Sequence, residues 1–155
     1  MIKLNRILAP TDFSEYSKSA LNYACEFAEV FGAELHLLHV LQDMAVSIEE
    51  PGLAFASTGD YAAEYQASAE QSLSQLLDSE WETGKRVVRE VIPGVPFLEI
   101  VRYAKANDID LIVIGTHGRT GLAHVLIGSV AEKVVRKAPC PVLTVRHPEH
   151  EFVMP

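Results

Sequence analysis

Five residues of this 155-residue chain could do chemistry together: Gly115, Gly118, Gly128, Ser129 and Asp12. The three glycines named and the serine fall within one stretch, GTHGRTGLAHVLIGS, from Gly115 to Ser129. Without side chains, Gly115 and Gly118 allow the backbone to come close to a phosphate, and Gly128 does the same just before a helix. Ser129 offers a hydroxyl and an N–H at the start of that helix, where unpaired amides and the positive end of the helix dipole attract an anion. Asp12 could accept hydrogen bonds from ribose hydroxyls or help hold a metal ion. The chemistry implied is capture of a nucleotide phosphate.

Those residues need a scaffold that puts two loops side by side, and the hydrophobic pattern supplies one. Arg6–Ala9 reads as a first strand closed by Pro10, and Pro10-Thr11-Asp12 forms the loop at its end. Ser14–Phe31 has helical spacing of Ala20, Tyr23, Ala24, Phe27 and Phe31, with Gly32 as its C-cap. Leu35–Val40 reads as strand two and Gln42–Asp60 as a long loop. Tyr61–Thr83 reads as one long helix with Ala62, Tyr65, Ala69, Leu73, Leu76 and Leu77 inward. Its other face, with Glu64, Glu70, Asp78, Glu80 and Glu82, is expected to be solvated and without basic partners. Arg86–Ile92 is a third strand and the segment from Phe97 to Asn107 a third helix. Leu111–Ile114, uninterrupted and mostly β-branched, is a fourth strand buried on both faces. Ser129–Lys137 is the last helix and Val142–Val145 the fifth strand.

Alternating strands and helices predict an α/β fold: a single-domain open parallel sheet of five strands with helices on both faces, Rossmann-like. In the order 3-2-1-4-5, strands one and four are neighbours, and the Pro10–Asp12 and Gly115–Ser129 loops face each other across one crevice. The domain is expected to span residues 1–147, with a flexible tail at 148–155.

Composition narrows the partners. The formal net charge of −8 argues against a nucleic-acid binder. The locally basic segment is Gly115–Lys137, where Arg119, Lys133, Arg136 and Lys137 stand against Glu132 alone. No targeting signal or membrane-length apolar run is evident, so a cytoplasmic location is expected. Cys25 and Cys140 make neither a disulfide framework nor a zinc pattern, and read as buried thiols.

The glycine stretch is not a Walker loop, which needs Gly-Lys-Ser/Thr, and the GxGxxG dinucleotide pattern is missing. Its spacing is Gly115-x-x-Gly118, nine residues, then Gly128-Ser129. With Ile7-Leu8-Ala9-Pro10-Thr11-Asp12-Phe13-Ser14, Leu37–Val40, Asp110–Gly115 and Pro141–Val145 in register, the sequence resembles the universal stress protein family, specifically its ATP-binding branch. The resemblance covers nearly the whole chain. It implies an ATP site, with Mg²⁺, in which Pro10, Thr11 and Asp12 lie near adenine and ribose and Val40 on the adenine side. Ile114 and Gly115 would border base and ribose. His117, Gly118, Arg119, Gly128, Ser129 and Val130 would hold the phosphates. It also implies a homodimer paired through the edge strand Val142–Val145, which carries no charge and would otherwise invite pairing.

Plainer roles stand beside these. Ser129 with Glu132 reads as a capping box, and Asp12 could be only a helix-start residue. His36 and His39 read as packed or hydrogen-bonded rather than catalytic. A fast hydrolase would need a water-positioning base, for which Asp12 and His117 are the candidates, so at most slow hydrolysis is expected. A phospho-receiver domain fails, because Asp12 stands alone after strand one and no lysine follows strand five. The expectation is therefore an ATP-binding regulatory protein with an unidentified protein partner. A nucleotide-free interaction module of the same fold is the alternative.

Overall fold

The computed structural model describes residues 1–42, 58–117 and 127–147, with side chains described from 61 onward in the second of these segments. Arg6–Pro10 forms β1, Glu34–Leu41 β2, Val87–Pro93 β3, Leu111–Gly115 β4 and Val142–Val145 β5. All pairings are parallel, as the alternation implied, and the sheet order is β3-β2-β1-β4-β5, the order expected. The helices are α1 (Glu15–Phe31), α2 (Thr58–Ser74), α3 (Ser79–Glu82), α4 (Pro96–Ala106) and α5 (Ser129–Lys137).

Strand residues alternate between two cores. Ile7, Ala9, Leu35, Leu37, Val113 and Val145 pack with Ala20, Leu21, Ala24 and Ala28 of α1 and Leu73 of α2. Leu8, Leu38, Ile112 and Ile114 pack with Ile100 and Ala104 of α4 and Ala131 and Val134 of α5. Burial on both faces explains why these strands read as unbroken apolar runs. Each fully buried Leu or Ile contributes about 1.5–3 kcal/mol. The alanines of α1 let that helix lie close to the sheet, which fixes the height of its N-terminus above β1 and β4.

Caps place the ends of α1. Ser14 is its N-cap, its side chain accepting from the Ser17 amide, and Gly32 ends it in the left-handed conformation at φ 63°. Pro10 does not close β1 but is its last residue, and the β2 side of the ladder continues past it through Thr11 N–H, which bonds Leu38 O at 2.9 Å.

The expected single helix over Tyr61–Thr83 is corrected in two ways. A helix already begins at Thr58, inside the stretch read as loop, and it stops at Ser74. The last turn tightens, with Leu76 N–H reaching Leu73 O. Asp78 then caps a new short helix by accepting from Glu80 N–H at 2.8 Å. An aspartate followed by Ser-Glu is a restart signal, and apolar periodicity running through it conceals the break. Ala62 and Tyr65, expected inward, are exposed, because the first turns of α2 run beyond the core that Ala69 and Leu73 enter. The acidic face is not free of basic partners either: Glu82 pairs with Arg89, whose Nε also bonds Leu73 O at 3.2 Å.

Candidate functional site

The loop after β1 is a small, closed hydrogen-bond system. Thr11 is buried; its hydroxyl accepts from Phe13 N–H at 3.0 Å and lies 3.1 Å from Ser17 Oγ, which in turn donates to Ser14 O at 2.9 Å. Asp12 Oδ1 accepts from both the amide and the hydroxyl of Ser14. Asp12 is thus not itself the helix cap; it orients the residue that is. Phe13 adopts φ 63°, a left-handed conformation that costs an L-residue roughly 1–2 kcal/mol. Its ring rests on His39 with centroids 4.4 Å apart, and His39 Nδ1 is 2.8 Å from Thr11 O. A carbonyl can only accept, so Nδ1 carries the hydrogen.

Opposite, β4 ends in Gly115 and passes to buried Thr116, whose amide bonds Val145 O at 2.9 Å. Gly128 N–H closes back onto Thr116 O, so α5 starts beside the end of β4. Gly128, not Ser129, is the N-cap of α5, and no side chain caps it. The capping box expected of Ser129 and Glu132 does not form: Ser129 is already the first helical residue and Glu132 pairs with Arg136 at 2.9 Å instead. The first amides of α5 therefore have no side-chain acceptor at Gly128.

The two loops meet as the sheet order requires. β1 and β4 are neighbours, with Ile7 opposite Leu111 and Leu8 opposite Ile112. A β-carbon built on Gly115 would lie 2.8 Å from Tyr16 O in the first turn of α1. Tyr16 carries the contact onward, its ring centroid 5.9 Å from His117 and 5.2 Å from His147. Pro10, Thr11, Asp12, Gly115, His117, Gly128 and Ser129 are thus brought to the carboxyl end of β1 and β4. Ser129 is exposed and His117 half-buried. Val40, at the end of β2, Ile114 and Val130 pack into the α4–α5 core. Gly118 and Arg119 lie outside the described residues.

Phe13 and Tyr16 were not singled out from the sequence, and Thr116 gave no signal of its own. A left-handed phenylalanine has no local marker, and Tyr16 matters through its carbonyl, which every residue has. His36 and His39 are both buried and hydrogen-bonded, as expected. His36 joins Tyr103 Oη at 2.8 Å to Glu34 at 2.9 Å. Burial, with Glu90 and Glu34 nearby, pushes the Tyr103 hydroxyl up to about 12.

At the other end of the strands a polar hollow of about 380 Å³ is lined by Asn5, Arg6, Glu34, Arg86, Asp108 and Asp110. Its charges pair among themselves, Arg6 with Glu34 and Asp108, and Arg86 with Glu34. Asp110 accepts from the Asn5 and Arg6 amides, tying β1 to the end of α4's loop. Among the described residues no group of three or more His, Cys, Asp or Glu could hold a metal ion, and no helix is long and apolar enough to cross a membrane.

Fold and site together define a doubly wound α/β protein whose crevice lies where strand order reverses. The chain belongs to the universal stress protein family, whose model matches residues 3–146. Two proteins of Methanocaldococcus jannaschii are similar along most of their length. Universal stress protein MJ0531 is 36% identical over 94% of this chain and 84% of its own, and MJ0577 is 31% identical over 94% and 96%. The solved structure of MJ0577 covers 96% of this chain and 99% of its own, at a TM-score of 0.81 and 30% identity. A universal stress protein from Archaeoglobus fulgidus in complex with dAMP has the same fold, with a TM-score of 0.60 at 24% identity over 93% of this chain and 98% of its own.

Proposed function

We propose that this protein binds ATP, with Mg²⁺, in the crevice between the Thr11–Ser14 loop and the start of α5, and acts as a nucleotide-dependent regulatory protein of the stress response. One observation carries the reading: α5 opens at Gly128 without a side-chain cap, next to the end of β4. Amides left over at a helix start, with the dipole behind them, attract phosphate. Arg136 and Lys137 in the last turn of α5 already complement its other end. Across the crevice, Asp12, held by Ser14, is the carboxylate this reading assigns to the ribose hydroxyls. Gly118 and Arg119 belong to the same phosphate segment in this reading. That the fold can accept an adenine nucleotide is in keeping with the dAMP complex of the Archaeoglobus relative.

The role is binding rather than turnover, with hydrolysis slow at most. Asp12 Oδ1 is engaged with Ser14, and His117 Nδ1 lies 3.0 Å from Thr116 Oγ1, so neither is set up as a dedicated base for water. The working form is a cytoplasmic homodimer paired through β5, and nucleotide occupancy changes the surface offered to a protein partner.

Titrating the purified, nucleotide-stripped protein with MgATP by calorimetry tests this. Binding in the micromolar range or tighter is expected. Replacing Gly118 by a bulky residue is expected to abolish binding with the circular dichroism spectrum intact. Undiminished binding by that variant would remove the phosphate segment from the site.

A further inference from the structure

His39 is buried, 7% exposed, toward the end of β2, on the face where the other buried strand residues are apolar. A buried imidazole is costly to keep unless its polar atoms do something. Here Nδ1 donates to Thr11 O across the boundary between β2 and the loop after β1, and the ring supports Phe13. Those two contacts bracket Asp12 on either side in sequence. Phe13 sits at φ 63°, where an L-residue stays only if its surroundings hold it. Phe13 is held as well by its own amide, bound to Thr11 Oγ1 at 3.0 Å, and by packing against the core on the α1 face, so the loop's shape is set from below by His39 together with that core. Without the N–H of His39, buried Thr11 O loses a partner, and the least costly response is rotation of the Thr11–Asp12 peptide. That rotation would carry the Asp12 carboxylate away from its place beside Ser14.

We propose that His39 is the positioning residue of the nucleotide loop: it touches no ligand itself, but its Nδ1–H and its ring face fix the Thr11–Phe13 backbone so that Asp12 meets the ribose. This rests on the nucleotide reading above and deepens it, since it says what pre-forms the ribose side of the crevice. Preorganisation of this kind appears in affinity, because a loop that must be ordered on binding weakens the complex.

The test compares unmodified protein, His39→Phe and His39→Asn by MgATP titration, each with its melting temperature. His39→Phe keeps the ring and the volume but loses the donor. His39→Asn presents an N–H near the position of Nδ1 without the ring. The expected result is an affinity at least 10-fold weaker for His39→Phe, partial recovery in His39→Asn, and amide shift changes concentrated at residues 11–14 in nitrogen–proton spectra. A purely structural histidine would lower both melting temperatures and leave the affinity of the folded protein unchanged; that outcome overturns the proposal. Should His39→Phe fail to fold, His39→Leu, which also lacks the donor, takes its place, and an affinity equal to that of the unmodified protein overturns the proposal equally. If the unmodified protein does not bind MgATP, the nucleotide reading itself has failed, which the same titration reveals before any variant is considered.

Discussion

The α-carbon of Gly115 packs against the carbonyl of Tyr16 so tightly that a β-carbon would sit 2.8 Å from its oxygen and 3.2 Å from its carbon. The glycine therefore has a structural reason that needs no ligand: it lets the first turn of α1 descend onto the end of β4. Both partners are backbone, so neither can swing aside. We expect Gly115→Ala to destabilise the protein by about 1–3 kcal/mol, the range for forcing an extra carbon into a packed site. Urea unfolding with an unchanged m-value checks this, and an equal midpoint for the variant would contradict the contact.

A carboxylate at the start of α5 separates helix stability from anion binding. Ser129 is exposed, occupies the first helical position and takes no part in a capping box. Ser129→Asp should strengthen the helix by about 0.3–1 kcal/mol through the dipole. The same charge would repel a phosphate. The expected pair of results is a melting temperature equal or higher and MgATP affinity at least 10-fold weaker. Weakened binding accompanied by lower stability would instead mean that the serine supports the fold.

Much of this was legible in the sequence because the sheet is buried on both faces. Leu111–Ile114 and Leu35–Val40 cannot be mistaken for amphipathic helices, and the connecting helices make them parallel strands of one sheet. Gly115, Gly128 and Asp12 could be placed on facing loops once the order 3-2-1-4-5 was taken, which makes β1 and β4 neighbours. What the pattern hid was backbone conformation and restart signals. Phe13 at φ 63° looks like any loop phenylalanine. Asp78 interrupts an apolar period that otherwise runs on to Trp81. Ser129 matched a capping box by type and spacing, yet the chain turns one residue earlier because Gly128 N–H is committed to Thr116 O. His39 was legible as packed, but its tie to Thr11 crosses between strands and has no local signature.

Alkaline pH should destabilise the protein through two acids, buried Tyr103 and Cys25, which is half-buried rather than buried as expected. Burial, reinforced by Glu26 and Glu29 and opposed by Lys85, pushes the Cys25 thiol from 9.0 up to about 11. Tyr103 rises from 10.0 to about 12, again mainly through burial. In both cases the unfolded chain releases its proton first. The stabilisation is complete below pH 9 and is lost as pH rises through 9–11 for Cys25 and 10–12 for Tyr103. Cys25→Ala should flatten the first part of that decline, read from urea midpoints at stepped pH. At pH 8 a thiol reagent should modify Cys25 much more slowly than free cysteine, since the thiolate is the reactive form.

The outer side of β5 presents backbone groups that β4 does not use. Ile112 N–H bonds Pro141 O and Thr116 N–H bonds Val145 O, so odd-numbered residues of this segment turn their backbone groups toward β4. In a strand the N–H and C=O of one residue point the same way and alternate along the chain. Val142 and Thr144 therefore point theirs outward, and β5 is the terminal strand of the sheet among the described residues. With no charge in Val142–Val145 to discourage pairing, the edge is suited to a symmetry-related copy. Thr144→Pro removes one outward N–H while leaving the β4 ladder its donors, and proline is tolerated on an edge strand. Sedimentation of the unmodified protein should give a dimer and Thr144→Pro a folded monomer at the same concentration. Val142→Lys, which adds charge without touching the backbone, should weaken the dimer as well. A variant that remains dimeric would move the interface off this strand, whereas a monomeric unmodified protein would dispose of the dimer.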